Sequence, residues 1–180
     1  MSPTVVGLDL SWTATGIAHP DGTTETVGVP AGQLSQWARL VKLSDLIRSK
    51  THRQMRPDLV VIEGGGFSTQ RAHQMGELHG AVKTVIWPAA RNLLIVPPAT
   101  LKKFATGRGN VGKPQMAVAL TKILSADEVS QMDDNQVDAW WLRAVGLHLL
   151  GAPVVSDTKD REAIVAKLKV ERWLDRRGVR

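Results

Sequence analysis

Two apolar runs in this chain carry a carboxylate where a buried strand has no ready use for one. Val5-Val6-Gly7-Leu8-Asp9-Leu10 holds Asp9 inside it, and Leu59-Val60-Val61-Ile62-Glu63 ends on Glu63. A buried, unpaired carboxylate is costly, so a fold that makes strands of these runs must supply each acid with a partner. The second run is apolar throughout rather than alternating, which marks a strand covered on both faces, as in a parallel pair flanked by helices. Two further acids, Asp134 and Asp138, lie four residues apart and share one face of a helix. Asn135 shares part of that face and is the neutral alternative to Asp134. Asp133 and Asp134 also read as helix N-cap residues.

The remaining pattern places these acids in an α/β fold. Thr15–Ala18 and 25–29 follow the first run with the turn signal His19-Pro20-Asp21-Gly22 between them, which predicts an antiparallel meander of three short strands. Apolar residues recur every three or four positions over 33–53, predicting an amphipathic helix. The strand 59–63 is followed by Gly64-Gly65-Gly66, a helix over 69–87 and a fifth strand over 93–96, stopped by Pro97-Pro98. Helices are predicted over 99–105, 114–124 and 135–150, with a glycine-rich loop at 106–112. The expected architecture is a mixed five-stranded sheet, an antiparallel meander plus two parallel strands, flanked by helices. Gly151-Ala152-Pro153 reads as a break, dividing residues 1–151 from a basic amphipathic C-terminal extension, 152–180, which is expected to be helical over 158–177.

Charge narrows the class of partner. Lys and Arg total 23 against 17 Asp and Glu, a net +6 that favours polyanions. Between Leu78 and Ala126 there is no acid, while Lys83, Arg91, Lys102, Lys103, Arg108, Lys113 and Lys122 all occur. With no cysteine, the chain has neither disulfides nor a thiolate zinc site. No apolar stretch approaches the roughly 20 residues that span a bilayer. Asp9 interrupts the first apolar run, so that run does not read as a signal peptide. Clustered carboxylates repel one another and are usually reconciled by divalent cations. On a basic chain the combination points to metal-dependent cleavage of nucleic acid.

Gly7-Leu8-Asp9-Leu10-Ser11 with Thr15-Gly16-Ile17-Ala18, then Val61-Ile62-Glu63, then Asp134-Asn135-Gln136-Val137-Asp138-Ala139 resembles the RuvC-type Holliday junction resolvases of phages and bacteria. The likeness extends through Val96-Pro97-Pro98, Leu101-Lys102-Lys103-Phe104 and Gly107-Arg108-Gly109-Asn110 with Lys113, and spans roughly residues 4–150. The resemblance implies an RNase H-like fold and a cytoplasmic, homodimeric, magnesium-dependent endodeoxyribonuclease that cuts four-way and other branched DNA. It implies two Mg2+ ions, with Mn2+ as a substitute, held by Asp9, Glu63 and Asp138. The fourth ligand position falls on Asp134 or Asn135, and an anionic oxygen favours Asp134. By the same likeness Lys113 joins the catalytic set. Phe67, Gln70, Arg71, Lys102, Lys103, Arg108 and Lys113 become DNA-contact candidates, with His73 beside them. The dimer contact is expected on the helix that begins near Thr69. The competing readings are an ATP-dependent phosphotransferase of the actin and sugar-kinase superfamily, and a non-catalytic or RNA-directed relative of the same fold.

Overall fold

The computed structural model describes residues 2–32, 34–51, 56–65 and 72–172. Six strands form one sheet: β1 (Val5–Asp9), β2 (Thr15–Ala18), β3 (Thr24–Val27), β4 (Leu59–Glu63), β5 (Asn92–Val96) and β6 (Val170–Arg172), in the order β3-β2-β1-β4-β5-β6. β1, β2 and β3 pair antiparallel, β1-β4 and β4-β5 run parallel, and β6 returns antiparallel to β5. Among the described residues no helix is long and apolar enough to cross a membrane.

Side-chain alternation along β1 and β4 divides the core in two. Val6, Leu8, Val60 and Ile62 pack under α1 (Gln36–Thr51) and α2 (Ala72–Ile86), with Leu43, Ile47, Leu78 and Val82. Val5, Leu59 and Val61 pack on the opposite face with Trp140, Trp141 and Val145 of a long helix. The helices on that side are α3 (Pro98–Thr106), α4 (Lys113–Leu120), α5 (Ala126–Ser130), α6 (Asp134–Leu149) and α7 (Lys159–Val165). The same alternation puts Asp9 and Glu63 on the α6 face, at the carboxyl ends of neighbouring parallel strands.

α6 lies unusually close to the sheet, and two glycines make that possible. A Cβ added to Gly7 would collide with the carbonyl oxygen of Ala139, and one added to Gly16 with that of Asn135. A side chain at either position would lift the helix off β1 and β2.

The expected five strands are six. The segment expected to be helical from 158 to 177 is instead the short α7, started by the Thr158 side chain accepting from the Arg161 N–H, and then the edge strand β6. β5 would otherwise expose a row of unpaired backbone groups, and pairing with β6 satisfies them. Val155, Ile164 and Val170 join the α6-side core, so residues past Gly151 pack on the same body. The helix α5 was not expected. Its signal is a capping box, Ser125 with Glu128, in which each side chain bonds the other residue's backbone N–H.

Candidate active site

Asp9 ends β1 and Glu63 ends β4, one step apart on neighbouring strands. Asp138 reaches the same place from the second turn of α6. That helix starts at Asp133, whose side chain accepts from the Gln136 N–H while Gln136 accepts from the Asp133 N–H. Glu63 and Asp138 both act on Asp9, and Asp138 acts on Glu63. Burial pushes the Asp9 carboxyl well above the usual range, and the charges of Glu63 and Asp138 push it further. The contact between the two carboxyl groups raises Asp9 further and lowers Glu63.

Glu63 is raised to about 7 by burial and then by Asp138, with the bond from Asp9, Lys102 and Lys113 opposing. Asp138 is raised to about 6, mainly by burial; Lys113 and Lys102 oppose and Asp134 adds. Among the described residues, Lys113 acts on all three acids.

Asp134 stands apart from this group. Its Oδ2 is 3.4 Å from Lys113 Nζ, and its side chain is 59% exposed, at the rim of the site. Its charge is felt by Asp138. Asn135 sits deeper, its backbone against Gly16, which is the cross-strand partner of Asp9. Lys102 is half-buried and directs its field at Glu63 and Asp138, whereas Lys103 and Arg108 are exposed. His73 is exposed on α2, 3.3 Å from Glu77. Phe67, Gln70 and Arg71 lie outside the described residues.

One residue near the site escaped sequence reading. His79 is buried on α2 and its Nε2 faces Gly65, just past Glu63. Burial, with Lys83 assisting, lowers it to about 4, so its ring is neutral at pH 7. The signal was a histidine inside the apolar stripe Leu78, Val82 and Ile86.

Among the described residues, no three His, Asp or Glu side chains already form a chelate. The chemistry of the donors nonetheless fits a hard divalent cation. Asp9, Glu63 and Asp138 offer carboxylate oxygens that resist ionising together, and a bound cation would relieve that repulsion.

No family model matches the chain. A crossover junction endodeoxyribonuclease RuvC from Chlorobium phaeovibrioides is 27% identical over 139 residues, 72% of this chain and 74% of the relative. The RuvC of Corynebacterium diphtheriae is 33% identical over 111 residues, 58% of this chain and 64% of that protein. Thermus thermophilus RuvC, solved with a Holliday junction substrate, superposes with a TM-score of 0.68 at 21% identity, over 83% of this chain and 97% of the other. The chain is similar to RuvC in sequence and in fold. Its mixed sheet flanked by helices is the RuvC fold, and the acids at the ends of β1 and β4 sit in this RuvC-like frame beneath α6.

Proposed function

We propose that this chain is an endonuclease that hydrolyses phosphodiesters at four-way DNA junctions, leaving 5′-phosphate and 3′-hydroxyl ends. The observation that carries the reading is the convergence of Asp9, which is buried, with the half-buried Glu63 and Asp138, whose charges oppose its ionisation, near the cations Lys113 and Lys102. Kinship with RuvC favours junction DNA over the nucleotide of a phosphotransferase.

Magnesium, held by Asp9, Glu63 and Asp138, would activate a water and stabilise the departing oxygen. The chain's own residues set the conditions for that chemistry. Burial of Asp9 and partial burial of Glu63 limit the screening by bulk water of charge that develops on the phosphate. Without a cation, burial and the neighbouring charges oppose the ionisation of Asp9 and Glu63 together. Lys113, at the N-terminus of α4, can neutralise a phosphate oxygen brought to Asp138. Lys102 supports it from α3, and Lys103 and Arg108 extend the positive surface along the DNA.

Asp134 serves at the rim, holding Lys113 in place, and Asn135 occupies the deeper position. Phe67, Gln70 and Arg71 remain in the proposed DNA surface on the strength of the resemblance. We place the enzyme in the cytoplasm, acting as a homodimer that makes paired cuts. The second copy is proposed against α2, with Trp37 and Val41, 64% and 61% exposed and one turn apart on the adjoining α1, extending that face.

The test compares four-way DNA, flaps, linear duplex and RNA–DNA hybrid, with magnesium or with chelator. Magnesium-dependent cleavage of the four-way junction, abolished in Asp9→Ala with junction binding retained, is the expected result. Wild-type cleavage by Asp9→Ala would refute the assignment, and sedimentation as a monomer on junction DNA would remove the paired cuts.

A further inference from the structure

The hairpin of β2 and β3 touches the helix that delivers Asp138 at two separated points. At the first turn of α6, Asp133 uses both carboxylate oxygens. Oδ1 accepts from the Gln136 N–H at 2.9 Å, and Oδ2 accepts from the Thr26 hydroxyl on β3 at 2.6 Å. Gln136 Nε2 adds a bond to the Thr24 hydroxyl at 3.3 Å. In the hairpin turn, Arg143 donates from Nη2 to the Pro20 carbonyl oxygen at 2.7 Å. Arg143 is only 8% exposed, and Asp21 is the charge that favours its ionised form.

A buried guanidinium with Nε unpartnered is a costly way to fill space that an apolar side chain would fill more cheaply. What it supplies is direction, because its bond to a backbone oxygen fixes where α6 stands along its own axis. The hairpin is itself anchored from the other layer. Glu25 on β3 bonds His19 at 2.9 Å and Lys50 of α1 at 2.6 Å.

We propose that the β2–β3 hairpin is a splint for α6, with Thr26 and Arg143 as positioning residues that set the height of Asp138 over Asp9 and Glu63. The inference rests on the nuclease reading and deepens it. Residue 138 lies midway between 133 and 143, anchors that stand roughly 15 Å apart along the helix at 1.5 Å per residue. A slide of about 1 Å would stretch the Thr26–Asp133 bond beyond hydrogen-bonding distance. A misplacement of that size at a reacting centre costs about 100-fold in rate. Loss of one anchor out of two is a partial version of that displacement.

The experiment uses the full chain with Thr26→Val, Thr26→Ser, Asp133→Ser and Arg143→Met. It measures single-turnover cleavage of a four-way junction, junction affinity, manganese affinity and Tm. Thr26→Val removes the hydroxyl and keeps the shape. Asp133→Ser keeps a helix-capping oxygen but is too short to reach Thr26. Each should cut about tenfold more slowly and bind manganese about threefold more weakly, with junction affinity unchanged. Thr26→Ser should restore both values, and the Thr26→Val/Asp133→Ser double variant should be no worse than the poorer single, since one tether is lost twice.

Arg143→Met should lose more activity. Should it fail to fold, the Thr26 pair still decides. Thr26→Val cutting and binding manganese as the wild type does would overturn the splint while leaving the nuclease reading intact. If the wild type cuts no junction but binds manganese more tightly than Thr26→Val, the nuclease reading fails and the splint stands. A wild-type protein that binds no manganese would overturn both.

Discussion

On the α1–α2 side the sheet meets large aliphatic side chains, Leu8 and Ile62 against Leu43, Ile47 and Leu78. On the other side α6 rests on β1 and β2 through the bare backbone of Gly7 and Gly16. Asp9, Glu63 and Asp138 all belong to that second side. Aliphatic packing tolerates small shifts, because side chains of similar volume can repack. Backbone-to-backbone contact has no such slack, so the face that must hold charges in register is built from glycine.

The largest effects should come from exchanging the character of the two faces. Gly7→Val forces α6 off the sheet and should lower stability by about 3 kcal/mol or more, with cleavage lost altogether. Leu8→Ala, the neighbouring residue on the opposite face, should cost a similar 2–5 kcal/mol through a cavity. Below its lowered Tm, however, it should keep most of its rate. Denaturant melts and cleavage rates on the same two proteins separate the faces. Equal loss of activity in both would mean that the glycine face is not special.

The repulsion on the α6 face predicts a particular pH dependence. Burial raises Asp9 well above the ordinary range, Glu63 to about 7 and Asp138 to about 6. The folded protein therefore holds protons that the unfolded chain has released by about pH 5, so stability falls as pH rises from 5 to 8. The ion-free protein should melt several degrees lower at pH 8 than at pH 5. Magnesium should raise Tm at pH 8 and have little effect at pH 5. Scanning calorimetry with chelator and with magnesium checks this, and a magnesium effect that grows toward low pH would contradict it.

Much of the fold was legible. Strands β1, β2 and β4 and helix α6 lie within a residue of where apolar runs and periodicity put them, because burial on two faces leaves a strong pattern. β6 was not readable, since pairing along an open edge is a tertiary event and Val170 lies between Lys169 and Glu171-Arg172 in a charged stretch. At the site, Asp9, Glu63 and Asp138 could be grouped from strand ends and helix spacing. Spacing alone could not place Asp134 at the rim and Asn135 against Gly16. Those two residues are adjacent in sequence, and their difference depends on the rotation of α6 about its axis. The tether from Thr26 to Asp133, across 107 positions, leaves no local signature at all.

The smallest predicted effects sharpen the contrast within the site. Lys113→Gln should slow cleavage about 30-fold, through loss of a cation at the charged transition state. Asp134→Asn, which only frees that lysine at an exposed rim, should slow it about threefold. Single-turnover rates at saturating magnesium measure both, and a larger effect for Asp134 would move that residue into the ligand set.

The most direct measurement is anomalous diffraction from crystals grown at pH 7.5 with manganese. A manganese peak bounded by carboxylate oxygens of Asp9, Glu63 and Asp138, with Asp134 still turned toward Lys113, is the predicted result. Well-ordered crystals with no peak among those three side chains, or with manganese held elsewhere, would contradict the account.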